Sequence, residues 1–217
     1  MSIAANLAQI HETIRAAGRK PEEITLIGAA KYQPIERIRE AIRAGLKDIG
    51  DNQLQAGESL REQLKEAVQW HFIGHIQSRK AKGLIDYSLI HSLERLKVAE
   101  ILQRSLESTA AQTLNVLVEI NVGEESTKSG IAASELKAFL KALAAFDRLK
   151  PLGLMCMPPP LNPVEGRRPF FRTLRRLAEE NHLSLLSMGT SEDYAVAVEE
   201  GATHVRVGSC LFGERVR

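Results

Sequence analysis

Three stretches of the chain carry residue types that hold anions or react with carbonyls. The first is AAKYQP, where Lys31 follows an apolar run over 24–30 and precedes a helical pattern that Pro34 opens. An amine there can be a solvated loop group or the counter-charge of a bound anion. Partly desolvated, its pKa falls and it can form a Schiff base with an aldehyde. The second is SMGTSEDYA, in which Gly189 lets the backbone turn and Thr190 and Ser191 offer hydroxyls ahead of a helical pattern. Free N–H groups and the helix dipole favour an anion at such a place. Plain N-capping explains the same residues, and Thr190 and Asp193 have the spacing of a capping box with Asp in place of Glu. The third is HVRVGSCLFG, where Gly208 and Ser209 make a second small turn behind Arg206. Strand alternation points Arg206 inward, where it requires an acceptor. A ligand, or an internal carboxylate such as Glu119, meets that need. Asn52, in IGDNQ, is a further hydrogen-bond partner. His71 and His75 lie i, i+4 on one strand-like run, so they point the same way about 13 Å apart. That is too far to share a metal, and no Cys/His cluster has zinc spacing. Structural or pocket histidines are expected, and no metal site.

Something must bring these stretches together. Strand-like runs recur at 24–31, 47–51, 70–76, 88–92, 114–122, 150–157, 183–188 and 204–208. Several are continuously apolar, as strands buried on both faces are. Helical patterns lie between them at 34–44, 53–67, 77–84, 94–107, 134–146, 167–181 and 192–200, with Ser92 as an expected N-cap and Gly45 and Gly201 as stops. MPPPLNPVEGRR reads as a loop after the sixth strand. Ile3, Leu7, Ile10 and Ile14 place one more helix before the first strand. This predicts an α/β fold, a single (β/α)8 TIM barrel with an additional N-terminal helix. An open doubly wound sheet is the rival, weakened by the lack of G-x-G-x-x-G after the first strand. In a barrel the strand C-termini form the functional face, and phosphates are held after strands seven and eight.

Composition sets the outer limits. The chain has 217 residues, 44% hydrophobic and 26% charged, with a net charge of +2. This predicts one domain over 1–217 with an ordinary core, and neither nucleic acid nor membrane is expected. No apolar run approaches the ~20 residues of a membrane span, and the N-terminus lacks a secretory h-region. Cys156 and Cys210 are isolated in apolar runs and read as buried small residues, which fits a reducing cytoplasm. The basic stretch GRRPFFRTLRRL reads as a solvated helix face.

AAKYQP, DIGDNQLQ, WHFIGHIQSRK, EINVGEESTKSGI, LGLMCMP and SMGTSEDYAVAVEEGATHVRVG together resemble the pyridoxal phosphate homeostasis proteins, the YggS/PROSC family, nearly end to end. These look like a lone alanine-racemase-type barrel holding pyridoxal 5′-phosphate (PLP). The resemblance implies that Lys31 carries the cofactor as a Schiff base. Ser191, Gly208 and Ser209 would hold the phosphate, Arg206 would face the pyridine nitrogen, and Asn52 and His75 would line the cofactor. It implies PLP as cofactor, apo PLP-dependent enzymes as partners, and a role in PLP homeostasis. Lys128 matches a family lysine with no role assigned. The chain departs from the family at Asp51, Gln53, Ala56 and Gln33, the last in place of a second lysine, and a lysine-bearing tail is not expected. These departures bear on a secondary cofactor site, not on Lys31.

An alanine racemase adds a β-rich domain with a catalytic tyrosine, for which eight strands leave no room here. Tyr32 is expected to point away from the pocket if strand geometry continues past Lys31. A monomeric, cytoplasmic PLP carrier without catalytic residues or robust turnover is therefore expected. The alternatives are a PLP-dependent amino-acid racemase-type enzyme, and an aldolase-like barrel whose Lys31 meets a substrate carbonyl.

Overall fold

The computed structural model of the chain describes residues 2–64, 66–109, 113–125 and 127–213. Eight strands form: β1 (Thr25–Ala29), β2 (Asp48–Asp51), β3 (Gln69–Phe72), β4 (Leu89–Leu93), β5 (Leu114–Ile120), β6 (Leu149–Cys156), β7 (Leu185–Thr190) and β8 (His204–Val207). They close into a barrel in chain order, and every neighbouring pair is parallel. β8 pairs back onto β1 through Arg206 opposite Ile27, which removes the open-sheet alternative.

Helices cover the outside: α1 (Ile3–Ala16), α2 (Ile35–Arg43), α3 (Leu54–Gln63), α4 (Leu96–Glu107), α5 (Leu136–Leu143), α6 (Arg168–Glu180), α7 (Tyr194–Glu199) and α8 (Ser209–Phe212). Ser2 caps α1 by accepting from the Ala5 amide at 3.2 Å. Ile3, Leu7, Ile10 and Ile14 bury one stripe of α1 against α2 and α8. Each such aliphatic contributes about 1.5–3 kcal/mol by leaving water. Gly45 and Gly201 stop α2 and α7 as expected. Each has positive φ, and each is followed by an amide that reaches back to the third-last turn residue.

Several local expectations are corrected. Ser92 is not a cap: it lies in β4, and its hydroxyl donates to the Gly74 carbonyl. The helix after it starts from Arg95, whose side chain makes no cap. The 77–84 helix is a 3-10 turn, Ser78–Leu84. Residues 53–67 form α3 only over Leu54–Gln63, and Lys65 falls outside the described residues. β3 ends at Phe72, so His75 sits in a loop and not on the strand of His71. The short α8 occupies what reads in sequence as a bare turn.

The basic stretch is not simply solvated. Arg167 is buried, with Nη1 on Asp193 at 2.8 Å and Nη2 on Glu192 at 2.9 Å. Arg168 and Arg172 pair with Glu200, and Arg168 also with Glu199. Tertiary partners on α7 and the loop before it turn this helix face into an anchor.

The lumen has two kinds of filling. Leu89, Leu117 and Met155 form an apolar cluster, with Leu152 and Leu185 against it. His71, His91, Ser187, His204 and Arg206 are buried polar groups beside it. His91 on β4 meets Ser187 on β7, strands that do not neighbour each other, so this contact crosses the lumen.

Candidate functional site

A cavity of about 500 Å³ opens at the C-terminal ends of the strands. Lys31, Asn52, His75, Ser191, Arg206, Gly208 and Ser209 all line it. The volume falls in the range of small-molecule sites.

The β7 and β8 turns are sewn into one unit. Ser191 Oγ accepts from the Gly208 amide at 2.9 Å and the Cys210 amide at 3.3 Å. Its two lone pairs are engaged, so its own proton is left to donate. Asp193 Oδ1 accepts from the Thr190 amide at 2.6 Å and from Thr190 Oγ1 at 3.0 Å. Only half of a capping box therefore forms, since the threonine hydroxyl donates where a cap would accept. Gly208 shows what the turn leaves free. A Cβ built there meets nothing closer than Ala29 Cβ at 3.8 Å. Packing does not demand glycine at this point, and its absent side chain leaves the backbone open to close approach by a ligand group. Hydroxyl donors around a bare glycine suit a phosphate.

Arg206 points inward, as alternation predicts, and is 5% exposed. Nη1 donates to Ser187 Oγ, and Nη2 to the Cys156 carbonyl at 3.0 Å and to Met157 Sδ at 3.0 Å. The Glu119 ion pair held open as its alternative partner is not among its hydrogen bonds. Burial lowers the Arg206 pKa while Cys156, Glu119 and Asp193 raise it, and a guanidinium remains a cation in a protein. Burial also pushes the Cys156 thiol up to about 12, so it stays neutral.

Glu119 is the lining residue that sequence reasoning undervalued. It is 7% exposed and reaches the cavity from β5. Desolvation first, and the nearby Glu94 second, push its carboxyl up to about 7, against the pull of Arg206. The available signal was a carboxylate inside the apolar run LNVLVEI.

The lysine side of the cavity is looser. Lys31 is half-buried, with Nζ 4.9 Å from the centre of the Tyr32 ring. Tyr32 is 70% exposed and has φ 63°. The strand has ended, so alternation no longer applies and the ring turns back beside the amine instead of away from it. Asn52 is held close to the next loop: a Cβ on Gly74 would lie 2.0 Å from the Asn52 carbonyl oxygen. His75 Nδ1 is 3.3 Å from both Glu94 and Ser129. Lys128 is exposed and outside the cavity wall, although Ser129 lines it. Gln33, where the family often has lysine, lines the cavity as a neutral amide. A neighbouring cavity of about 390 Å³ shares Lys31, Gln33 and Asn52 and has Gln53 and Ala56 in its wall. No helix among the described residues is long and apolar enough to cross a membrane.

Known proteins are similar to this chain over nearly its whole length. The alanine racemase N-terminal domain family matches residues 2–216. The pyridoxal phosphate homeostasis protein of Aquifex aeolicus is 43% identical over 96% of this chain and 95% of its own. The structure of PipY from Synechococcus elongatus, with PLP bound, superposes with a TM-score of 0.86 at 30% identity, over 97% of this chain and all of that one. Alanine racemase from Corynebacterium glutamicum shares the fold at a TM-score of 0.72 and 16% identity, and this chain spans 62% of its length. By sequence match, barrel and cavity together, the chain belongs to the pyridoxal phosphate homeostasis proteins, on the barrel of the alanine racemase N-terminal domain family.

Proposed function

We propose that this protein binds PLP in the C-terminal cavity and serves intracellular PLP homeostasis, buffering the cofactor or delivering it to apo-enzymes. One observation carries the reading: Lys31, Arg206 and the Ser191–Gly208 turn face one cavity of about 500 Å³. The names of close relatives and the PLP-bound PipY structure support it. PLP supplies an electrophilic aldehyde carbon and an electron-accepting ring. Lys31 would hold the aldehyde carbon as a Schiff base. Ser191, Gly208 and Ser209 would hold the phosphate, and Asn52 and His75 would border the ring. Arg206 would face the pyridine nitrogen and disfavour its protonation, because two adjacent cations repel. That weakens the ring as an electron sink and suits a carrier better than a racemase. All seven residues line one cavity of one chain, and the reading takes the protein as a monomer working in the cytoplasm.

The racemase-type alternative keeps one observation in its favour, the Tyr32 ring beside the Lys31 amine. Exchange of an amino acid's α-hydrogen with solvent deuterium, faster than with free PLP, would move the reading to an enzyme.

The test is the visible spectrum of protein loaded with PLP and cleared of excess, beside Lys31→Ala. A yellow, borohydride-reducible species in wild type and none in the variant is expected. Two colourless proteins would overturn the reading and leave the cavity to another phosphate ligand.

A further inference from the structure

A chain of polar side chains crosses the lumen below the cofactor cavity. Asp48 opens β2 at the opposite mouth, where it lines a separate cavity of about 340 Å³. Its side chain is 20% exposed, and its Oδ1 lies 3.0 Å from His71 Nε2. His71 Nδ1 lies 3.0 Å from His91 Nε2. His91 Nδ1 lies 2.7 Å from Ser187 Oγ, and that oxygen accepts from Arg206 Nη1. Arg206 lines the cofactor cavity. The links run from one mouth of the barrel to the other. The described residues contain no group of three or more His, Cys, Asp or Glu arranged to hold a metal, so the histidines call for another account.

The two ends set the direction. A carboxylate only accepts and a guanidinium only donates. His71 Nε2–H therefore donates to Asp48, and Ser187 Oγ accepts from Arg206. If each ring carries one proton, the single N–H of His71 is already engaged. Its Nδ1 must then accept from His91 Nε2–H. The bare His91 Nδ1 in turn accepts the Ser187 hydroxyl proton. Each donor hands on toward Asp48, and hydrogen bonds aligned in this way reinforce one another. Burial, with His71, Arg206 and His204 close by, holds His91 well below the usual imidazole range and keeps it neutral. His204 is a bystander. Its Nδ1 meets the Thr203 hydroxyl at 2.8 Å, and its ring centre is 5.9 Å from that of His91.

We propose that Asp48, His71, His91 and Ser187 are positioning residues, forming a directed hydrogen-bond relay that orients the Arg206 guanidinium toward the bound ring from the far mouth of the barrel. The proposal rests on the PLP reading, in which Arg206 faces the pyridine nitrogen. Ser187 is the link that touches Arg206, so without its oxygen Nη1 loses the acceptor described here. Asp48 is the link reachable without disturbing the core.

The test uses the full chain labelled with nitrogen-15 histidine, together with Ser187→Ala and Asp48→Asn, with thermal unfolding as the check on folding. Long-range proton–nitrogen spectra of ligand-free protein are expected to show His71 and His91 both protonated on Nε2 alone. An Nδ1–H tautomer at either ring, or a doubly protonated His71, would overturn the relay. With PLP, Ser187→Ala is expected to lose about tenfold in affinity, the scale of one charge-assisted hydrogen bond. Its visible band should shift while borohydride still fixes PLP to Lys31. Unchanged affinity with an unshifted band would overturn the proposal. Asp48→Asn isolates transmission. His91 resonances and the visible band should both move, and changes confined to His71 would sink the relay at its far end. If Ser187→Ala does not fold, the tautomers and Asp48→Asn decide. A colourless wild type would instead overturn the PLP reading, and the ligand-free tautomers would still test the relay.

Discussion

The β7–β8 side of the cavity and the β1–β3 side are held in opposite ways. On the β7–β8 side, Ser191 ties one turn to the next, Asp193 closes on Thr190, and buried Arg167 grips Asp193 and Glu192 from the β6 loop. Arg206 is fixed by Ser187 and the Cys156 carbonyl. On the β1–β3 side, Lys31 touches an exposed Tyr32 ring, and His75 makes two contacts of 3.3 Å from a side chain that is 53% exposed. The groups that would bind the phosphate and the ring nitrogen are thus preorganised, which lowers the ordering cost of binding. The amine that would make and break a covalent bond is left room. That division suits a protein that must hold its ligand and also give it up.

The comparison breaks most directly at Arg167. Arg167→Ala leaves Asp193 buried without its partner, which costs about 3–5 kcal/mol. Urea denaturation is expected to show that loss together with weaker PLP binding. Unchanged stability would mean that the β7–β8 side is not anchored from β6.

Glu119 faces the cavity between the two sides and should show as a pH effect. Its carboxyl sits near 7 in the folded chain against an ordinary value of 4.5. The folded state therefore holds its proton over a range where the unfolded chain has released it. Wild type should lose stability relative to Glu119→Gln as pH rises from about 4.5 through about 7, by up to roughly 3 kcal/mol. Melting temperatures of both proteins at pH 5 and pH 8 would measure this, and parallel profiles would show that the carboxyl is solvated.

Gly208→Ala sharpens the same division. The Cβ has room in the protein, so stability should stay within about 0.5 kcal/mol. PLP affinity, followed by absorbance titration, should drop about tenfold because a methyl group takes the phosphate's place against the backbone. His75→Ala, on the loose side, should have the smallest effect, under about 1 kcal/mol in either binding or stability. A large effect there would show that the β3 loop orders around the ligand.

Much of this was legible in the chain before any coordinates. Continuous apolar runs separated by helical patterns specify strands buried on both faces, and eight of them favour a barrel, whose closure the β8–β1 pairing decides. The period of two along HVRV aimed Arg206 inward, and all seven expected site residues line one cavity. These are local signals, carried by residues a few positions apart. Three features were not legible. Tyr32 returns to Lys31 because the strand ends two residues early, at Ala29, and boundaries depend on pairing with neighbours. Arg167 reads as surface until Asp193 and Glu192 fold over it from 26 and 25 positions away. The lumen relay joins β2, β3, β4, β7 and β8, and its longest step, His91 to Ser187, spans 96 residues.

The sequence by itself determined that Arg206 faces inward and where most strands stop within a residue or two, β3 excepted, because backbone geometry and burial act locally. Only the tertiary structure decided which inward side chains meet. Barrel closure and strand stagger bring residues from distant units into one lumen, and a buried donor takes whichever acceptor that closure leaves within reach.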